Sequence, residues 1–283
     1  MNEPSESIKL FNFPLNITIV DDDTDYLNLL QQQLQNTTLS AYSSPIEAIA
    51  NIAPISINIK DFLEEKFIGT QDLNYKNIEN FVRNSKNAQG ILIVDYDMPE
   101  MTGIELFAKY NNPDLIKILL TNAYTIEDAV NALNKKLINY YLPKDRISIL
   151  LEVIKEQQNR LFDNLTRHIV NFLDTGSLSF LFEKIYINLF NSVSQQYNIK
   201  KYHILNSYGH YYLENIADKF IFSIYNLTDL LEIAKEVPEH KKHDVEQGNL
   251  IPSYFSDEGS TEYKLIHAKK HGDYSYCIEK INL

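Results

Sequence analysis

The chain has 283 residues, of which 44% are hydrophobic and 12% aromatic, and its length is enough for two domains that each bury a core. Up to Leu150, 12 basic and 20 acidic residues leave a net charge of −8, and the remaining 14 basic and 18 acidic residues leave −4. Both parts are acidic, whereas a protein that binds duplex DNA presents a basic surface, so the composition does not predict binding to duplex DNA by either part.

The sequence also argues against a membrane-embedded or secreted protein. No uninterrupted apolar run approaches the roughly 18 residues of a membrane span, so we expect no transmembrane helix. Residues 1–7 are acidic and polar, unlike a secretory signal. The single Cys277 rules out an internal disulfide and is typical of a reducing compartment. These features together predict a cytoplasmic protein.

The chain begins with two predicted βα units. Residues 1–14 predict a short polar lead-in that ends at a proline. The first strand ends in three consecutive aspartates, and the second helix follows a serine cap with a proline at its first position. We interpret Asp23 as the cap of the first helix. The predicted elements are strand 15–20, helix 24–35, strand 38–42 and helix 45–52.

The strand from Ile91 to Val94 organises this part of the sequence. Four consecutive apolar residues are typical of a fully buried parallel strand. The strand ends at Asp95, and Pro99 and Gly103 then break the chain before the next helix. Open α/β sheets bind their ligands beyond the carboxyl ends of their strands, so Asp95 is predicted to lie at a ligand site.

The strand 15–20 ends in Asp21 and Asp22 and is predicted to lie beside the strand that ends in Asp95. These carboxylates would then crowd into one crevice and repel each other. A hard divalent cation such as Mg²⁺, which prefers oxygen ligands, would relieve this repulsion.

Five βα units in all predict an α/β fold with a doubly wound parallel sheet. Residues 54–87 precede the third strand and carry two weak helical patterns, so we expect an ordered insertion without a part in the chemistry. The later elements are helix 104–110, strand 115–120, helix 126–135, strand 138–142 and a helix that starts near residue 145.

Residues 15–150 resemble the receiver domain of two-component response regulators, the CheY-like fold. The resemblance depends on four strand ends in order: the acid pair at 21–22, the D-x-D-M-P-x-M-x-G run from Asp95, a hydroxyl at Thr121, and Tyr141 followed by Lys144. The chain also resembles a family of response regulators with an enlarged receiver and a tyrosine-rich tail of unassigned role.

This resemblance implies a phosphorelay. Asp95 would accept a phosphoryl group from a histidine kinase or phosphotransfer protein as an acyl phosphate. Asp22 and Asp95 would bind Mg²⁺ directly, Asp21 through water, and Asp97 through its backbone carbonyl. The receiver would catalyse only its own phosphorylation and dephosphorylation, so the protein is not expected to be an enzyme in another sense.

The resemblance also implies a switch. Lys144 would contact a phosphoryl oxygen, Thr121 would donate its hydroxyl to the same group, and Tyr141 would then turn inwards. The sequence departs from the family at two points. Pro143 precedes the lysine, where a proline usually follows it, and Asn122 occupies a position that is usually small and could narrow access to Asp95.

A connecting helix is predicted over residues 146–174. Apolar or semi-polar residues recur at steps of four and three, which is a heptad seam. An amphipathic helix docked between two domains and a helix that forms a homodimer are both consistent with this pattern. The seam positions are Ile147, Leu151, Ile154, Gln158, Leu161, Leu165, His168 and Phe172.

Residues 175–283 predict an α+β domain with an antiparallel sheet. Helix 179–197 is followed by strands 202–206, 211–214 and 220–225, two helices and two closing strands at 263–268 and 274–279. The layout is similar to that of PAS-like sensory folds. Its tyrosines fit either a ligand pocket or an ordinary core. They are Tyr202, Tyr208, Tyr211, Tyr212, Tyr225, Tyr274 and Tyr276.

We therefore expect a response regulator whose output is protein–protein interaction. In a second hypothesis the C-terminal domain is an enzyme or small-molecule sensor gated by the receiver. In a third, the receiver fold serves as a docking module that is independent of phosphorylation.

Overall fold

The structure is a computed structural model that describes residues 7–34, 38–52, 89–110, 115–122, 126–172, 178–206, 208–254 and 264–281. The described residues form two compact units. The parallel-sheet unit comprises those between Pro14 and His168, and the antiparallel-sheet unit comprises residues 7–13 together with those from Ile169 onwards.

The parallel-sheet unit contains five strands in the order β3-β2-β4-β5-β6, all parallel. Residues 91–94 of the central strand β4 are fully buried, as expected of a strand covered on both faces. The predicted doubly wound sheet is confirmed. The strands are β2 (Asn16–Val20), β3 (Leu39–Tyr42), β4 (Gln89–Val94), β5 (Ile116–Leu120) and β6 (Tyr140–Leu142).

The first three helices of this unit begin at side-chain caps. Asp23 accepts hydrogen bonds from two backbone N–H groups of α1, and Ser44 does the same for α2, as predicted. Thr102 and Glu105 form a capping box at α3. The helices are α1 (Thr24–Gln33), α2 (Pro45–Asn51), α3 (Gly103–Lys109) and α4 (Ile126–Asn134). The predicted insertion at 54–87 lies outside the described residues.

The predicted connecting helix begins later than residue 146. A 3-10 helix occupies Lys144–Ile149 and contains the non-helical residue Arg146, and the α-helix α5 is Leu150–Phe172. In the part of the chain that the structure describes, no helix has the length and apolar character required to cross a membrane.

The buried face of α5 only partly coincides with the predicted heptad seam. Ile154 and Leu165 are buried as the seam requires, whereas Leu151 is 47% exposed. A helix that packs on a core repeats every 3.6 residues rather than 3.5, so its buried face drifts away from a strict heptad. The buried residues are Leu150, Val153, Ile154, Gln157, Phe162, Leu165, Thr166 and Ile169.

The antiparallel-sheet unit confirms the predicted antiparallel sheet. Its main sheet has the order β1-β7-β8-β9-β13-β12, and β10 and β11 form a separate pair. The strands are β1 (Phe11–Asn12), β7 (Lys201–Ile204), β8 (Tyr211–Glu214), β9 (Lys219–Asn226), β10 (Leu250–Pro252), β11 (Leu265–His267), β12 (Lys269–His271) and β13 (Tyr274–Lys280). The helices are α6 (Lys184–Gln196), α7 (Leu227–Ile233) and α8 (Glu239–Glu246), and a 3-10 helix spans Ser179–Phe182.

The predicted lead-in at residues 1–14 is wrong for residues 8–13. Strand β1 pairs with β7, so that Phe11 lies opposite His203 and Asn12 opposite Tyr202. Leu10 and Phe11 are fully buried. The apolar side chains of this segment are therefore part of the antiparallel-sheet core. The sequence around residues 8–13 could not predict this pairing, because the partner strand lies about 190 residues further along the chain.

The tyrosines of this unit pack as a core. Tyr186 and Tyr211 are fully buried, and the ring of Phe190 lies 4.8 Å from the ring of Tyr211 and 5.1 Å from that of Tyr202. Contacts of this kind are typical of aromatic packing. They favour the core interpretation of these residues over a ligand pocket, although Tyr208 is 54% exposed.

Gly103 brings the first turn of α3 against the end of β4. Its backbone N–H donates to the carbonyl of Tyr96 at 2.9 Å. A Cβ atom at this position would overlap the backbone carbonyl oxygen of Asp95. Glycine is required here because the backbone passes too close for any side chain.

We expect Gly103→Ala to destabilise the parallel-sheet unit by about 2 kcal/mol, because relief of the overlap requires α3 or the end of β4 to shift. Urea unfolding measures the change, with the exposed Lys109→Ala on the same helix as a control. A free energy of unfolding equal to that of the wild type would contradict the close approach.

His210 is a buried histidine of the antiparallel-sheet unit. Its Nε2 lies 3.0 Å from the carbonyl oxygen of Ile224, and its Nδ1 lies 3.1 Å from Nδ2 of Asn206. Burial lowers the pKa of His210 to about 4, against the opposing effect of the Ile224 carbonyl. The imidazole is therefore neutral in the folded protein at neutral pH.

We expect the stability of this unit to fall as the pH falls from 6.5 to 4. In that window the unfolded chain binds a proton at His210 that the folded chain does not, and the loss is about 2 kcal/mol at pH 5. Urea unfolding of wild type and His210→Gln at pH 7 and pH 5 isolates this contribution. The exposed His271→Gln is the control, and an equal pH dependence in all three proteins would refute the prediction.

Candidate functional site

Three carboxylates meet at the carboxyl edge of the parallel sheet. Strands β2 and β4 are aligned so that Val20 lies opposite Val94, and the next residues are Asp21 and Asp95. The N–H of Asp95 donates to the carbonyl of Val20 at 2.9 Å, which fixes the two strand ends together. Carboxylate oxygens of Asp21, Asp22 and Asp95 all lie within 4.8 Å of one another, as the sequence predicted.

Lys144 reaches this cluster from the 3-10 helix after β6. Its Nζ lies 2.7 Å from Oδ2 of Asp21 and 3.3 Å from Oδ2 of Asp95. Pro143 is extended, with φ −62° and ψ 141°, and directs the chain into the 3-10 helix. Lys144 therefore reaches the carboxylates even though the proline precedes it in the sequence instead of following it.

The charges of this ion pair are only partly exposed to solvent. Burial raises the pKa of the Asp21 carboxyl, although hydrogen bonds from Lys144 and from the N–H of Asp23 oppose the shift. Burial alone would lower the pKa of Lys144, but the carboxylates of Asp21 and Asp95 outweigh it and raise that pKa. The lysine is therefore held in its charged form between the two carboxylates.

The carboxylates fit a divalent cation. One ammonium group faces three carboxylates, which leaves uncompensated negative charge. Among the residues that the structure describes, Oδ1 of Asp95 is buried without a hydrogen-bond donor. Oxygen ligands and excess negative charge are what Mg²⁺ requires. The side chain of Asp97 is exposed, and the role of its backbone carbonyl stays a prediction.

Thr121 and Tyr141 lie at β5 and β6, the two strands on one side of β4. Thr121 follows β5, is 1% exposed, and donates its backbone N–H to the carbonyl of Leu142 at 3.2 Å. Tyr141 is half-buried on β6, and its hydroxyl lies 3.5 Å from the carbonyl oxygen of Thr121. The structure thus brings the two predicted switch residues together, while their roles stay predictions.

Two residues contact Lys144 in ways that the sequence analysis missed. The hydroxyl of Tyr26 donates to the backbone carbonyl of Lys144 at 3.0 Å, and its ring centroid lies 4.8 Å from Nζ. Asn122, which we expected to narrow access to Asp95, accepts the backbone N–H of Lys144 at 2.9 Å. The only local signal for Tyr26 is its place in the first turn after the three aspartates.

No family model matches the sequence, and no curated protein matches it. Several solved structures do match. A CheY-like receiver-domain protein from Methanospirillum hungatei is 24% identical, covers 54% of this chain and 99% of its own, and has a TM-score of 0.38. The response regulator TrrA from Thermotoga maritima, solved in complex with Mg²⁺ and BeF, is 21% identical over 50% of this chain and 98% of its own, with a TM-score of 0.33.

One match extends over both units. The response regulator LqsR from Legionella pneumophila is 22% identical, covers 98% of this chain and 90% of its own, and has a TM-score of 0.65. At this level of identity the likeness establishes the fold. The chain therefore shares the fold of LqsR, with a CheY-like receiver fold in its parallel-sheet unit.

Proposed function

We propose that this protein is a phosphorelay response regulator that accepts a phosphoryl group on Asp95 from a phosphohistidine of a histidine kinase or phosphotransfer protein. The observation that carries the proposal is the convergence of Lys144 on Asp21 and Asp95 at the sheet edge, with a third carboxylate alongside. This arrangement supplies a nucleophile and a fixed positive charge at one point.

The chemistry is an in-line displacement at phosphorus. A carboxylate oxygen of Asp95 forms the new O–P bond while the P–N bond to the donor histidine breaks, and the imidazole nitrogen keeps the electron pair and takes up a proton. Lys144 neutralises charge that spreads over the phosphoryl oxygens. Asp21, Asp22 and Asp95 would hold Mg²⁺, which supplies further charge neutralisation when bound.

Phosphorylation would change the hydrogen bonds at the neighbouring strand end. The hydroxyl of Thr121 would turn towards the phosphoryl group, and Tyr141, which lies close to the Thr121 carbonyl, would follow. The chain then runs from β6 through the 3-10 helix into α5, whose last residues belong to the antiparallel-sheet unit. This covalent path is the proposed route of the signal.

The proposed output is binding to another protein rather than to DNA. The support is electrostatic, since both parts of the sequence are acidic and would be repelled by phosphates. The proposed location is the cytoplasm, where the single Cys277 is stable as a free thiol. Phosphotransfer to and from its own aspartate is the catalysis that we assign to the protein.

We expect Asp95→Asn to abolish labelling by acetyl phosphate in the presence of Mg²⁺, because the amide is not a nucleophile at this site. The measurement is the fraction of phosphorylated protein by intact-mass spectrometry. Stability should stay within about 1 kcal/mol of wild type, since the substitution removes a repelling carboxylate along with one contact to Lys144. Glu100→Gln, an exposed change five residues away, is the control and should label normally.

Labelling of Asp95→Asn at the wild-type level would show that another residue is the acceptor. A wild-type protein that is folded and binds Mg²⁺ but remains unlabelled would leave the receiver fold as a docking module.

We also expect beryllofluoride with Mg²⁺ to convert the wild-type protein into a dimer through α5. Leu151→Asp should prevent this, since Leu151 lies on the predicted seam and is 47% exposed, so a charge there is tolerated in the folded chain. Light scattering after size exclusion measures the mass. Lys155→Asp, an exposed change away from the seam, is the control. A single-chain mass in both states would reject the dimer and leave α5 as an intramolecular connector.

A further inference from the structure

Both backbone polar groups of Lys144 are bound by side chains from other segments. Its N–H donates to Oδ1 of Asn122 at 2.9 Å, and its carbonyl accepts the hydroxyl of Tyr26 at 3.0 Å. Asn122 lies just after β5, whereas Tyr26 lies in α1. The backbone of Lys144 is therefore held on both sides by Asn122 and Tyr26, which we call the clamp.

Tyr26 contacts the other end of the same lysine as well. The centroid of its ring lies 4.8 Å from Nζ, within the range of a cation–π interaction. A lysine side chain is flexible and loses conformational entropy when it is fixed. A residue that holds both the carbonyl and the ammonium reduces the positions open to the side chain before any ligand binds.

The position of Tyr26 is tied to the carboxylates. Asp23 accepts the backbone N–H of Tyr26 at 3.0 Å, and the N–H of Asp23 donates to Oδ1 of Asp21 at 3.0 Å. One short segment thus connects the end of β2, the cap of α1 and the tyrosine. Burial, together with the charges of Asp21 and Asp95, raises the pKa of Tyr26 to about 12, so the hydroxyl stays a donor at neutral pH.

We propose that Tyr26 and Asn122 are positioning residues that hold the ammonium of Lys144 between Asp21 and Asp95, so that a phosphoryl group arriving at Asp95 meets a charge already in place. This inference deepens the proposed phosphotransfer function and rests on it.

The clamp acts on Lys144 and does not supply a ligand to the metal. Loss of the clamp should therefore lower the rate constant for labelling at saturating Mg²⁺ and leave the Mg²⁺ dissociation constant nearly unchanged. A substitution that merely disturbed the carboxylates would instead weaken Mg²⁺ binding.

The experiment measures acetyl-phosphate labelling of the full chain as a function of Mg²⁺. Tyr26→Phe, which keeps the ring, should slow labelling about fivefold, the equivalent of one hydrogen bond. Tyr26→Leu, which also removes the ring, should slow it about tenfold, and Asn122→Ala should slow it about threefold. The Mg²⁺ dissociation constant, from calorimetry, should stay within about twofold in each variant.

A double-mutant cycle separates positioning from a general effect. In a Lys144→Met protein the clamp has no ammonium to position, so Tyr26→Leu should cause no further loss of the residual labelling rate. Leu29→Ala, an exposed change on the same helix, should label as wild type does. Circular dichroism checks the fold of each variant, and Tyr26→Phe serves as the test if Tyr26→Leu does not fold.

Three results would overturn the inference while wild-type labelling stands. They are unchanged labelling in all three variants, a rate loss matched by weaker Mg²⁺ binding, and an equal loss from Tyr26→Leu with and without Lys144. A wild-type protein that is never labelled would overturn the proposed function and this inference together, so the two failures are distinguishable.

Discussion

The repulsion among Asp21, Asp22 and Asp95 is the constraint on which the rest of the parallel-sheet unit depends. The register of β2 against β4 forces these carboxylates together, and the N–H of Asp95 holds that register at the strand ends. One ammonium, that of Lys144, offsets part of the repulsion at 2.7 and 3.3 Å. The remaining negative charge makes the crevice receptive to a cation.

The surrounding elements are arranged to tolerate this concentration of charge. Asp23, the third consecutive aspartate, caps α1 instead of joining the carboxylate cluster. Backbone N–H groups at the start of the helix stabilise its negative charge. Gly103 lets α3 begin directly against the Asp95 backbone, which keeps Asp95, the proposed nucleophile, at a rigid strand end. Side chains held by regular elements in this way need little rearrangement when they react.

Local patterns in the sequence predicted the parallel sheet, the capped starts of α1 and α2, and the meeting of the carboxylates, because strand ends of a parallel sheet share one edge. The place of Lys144 was implied by the resemblance to receiver domains. Contacts between distant segments were beyond such patterns. The hydrogen bond between Tyr26 and Lys144 joins residues 118 positions apart in the sequence, and the hydrogen bond between Asn12 and Lys200 joins residues 188 positions apart. Which residues of α5 are buried depends on the core that the helix packs against. A heptad pattern read along one helix carries no information about that core.

The pairing of β1 with β7 makes the antiparallel-sheet unit discontinuous in sequence. The parallel-sheet unit is inserted between the first strand of that sheet and the rest of it. During synthesis the inserted unit can fold as soon as it is complete, while the segment around Phe11 waits for strands made long afterwards. A fragment that begins after α5 would leave the edge of β7 unpaired and its apolar neighbours uncovered, an arrangement prone to edge-to-edge association.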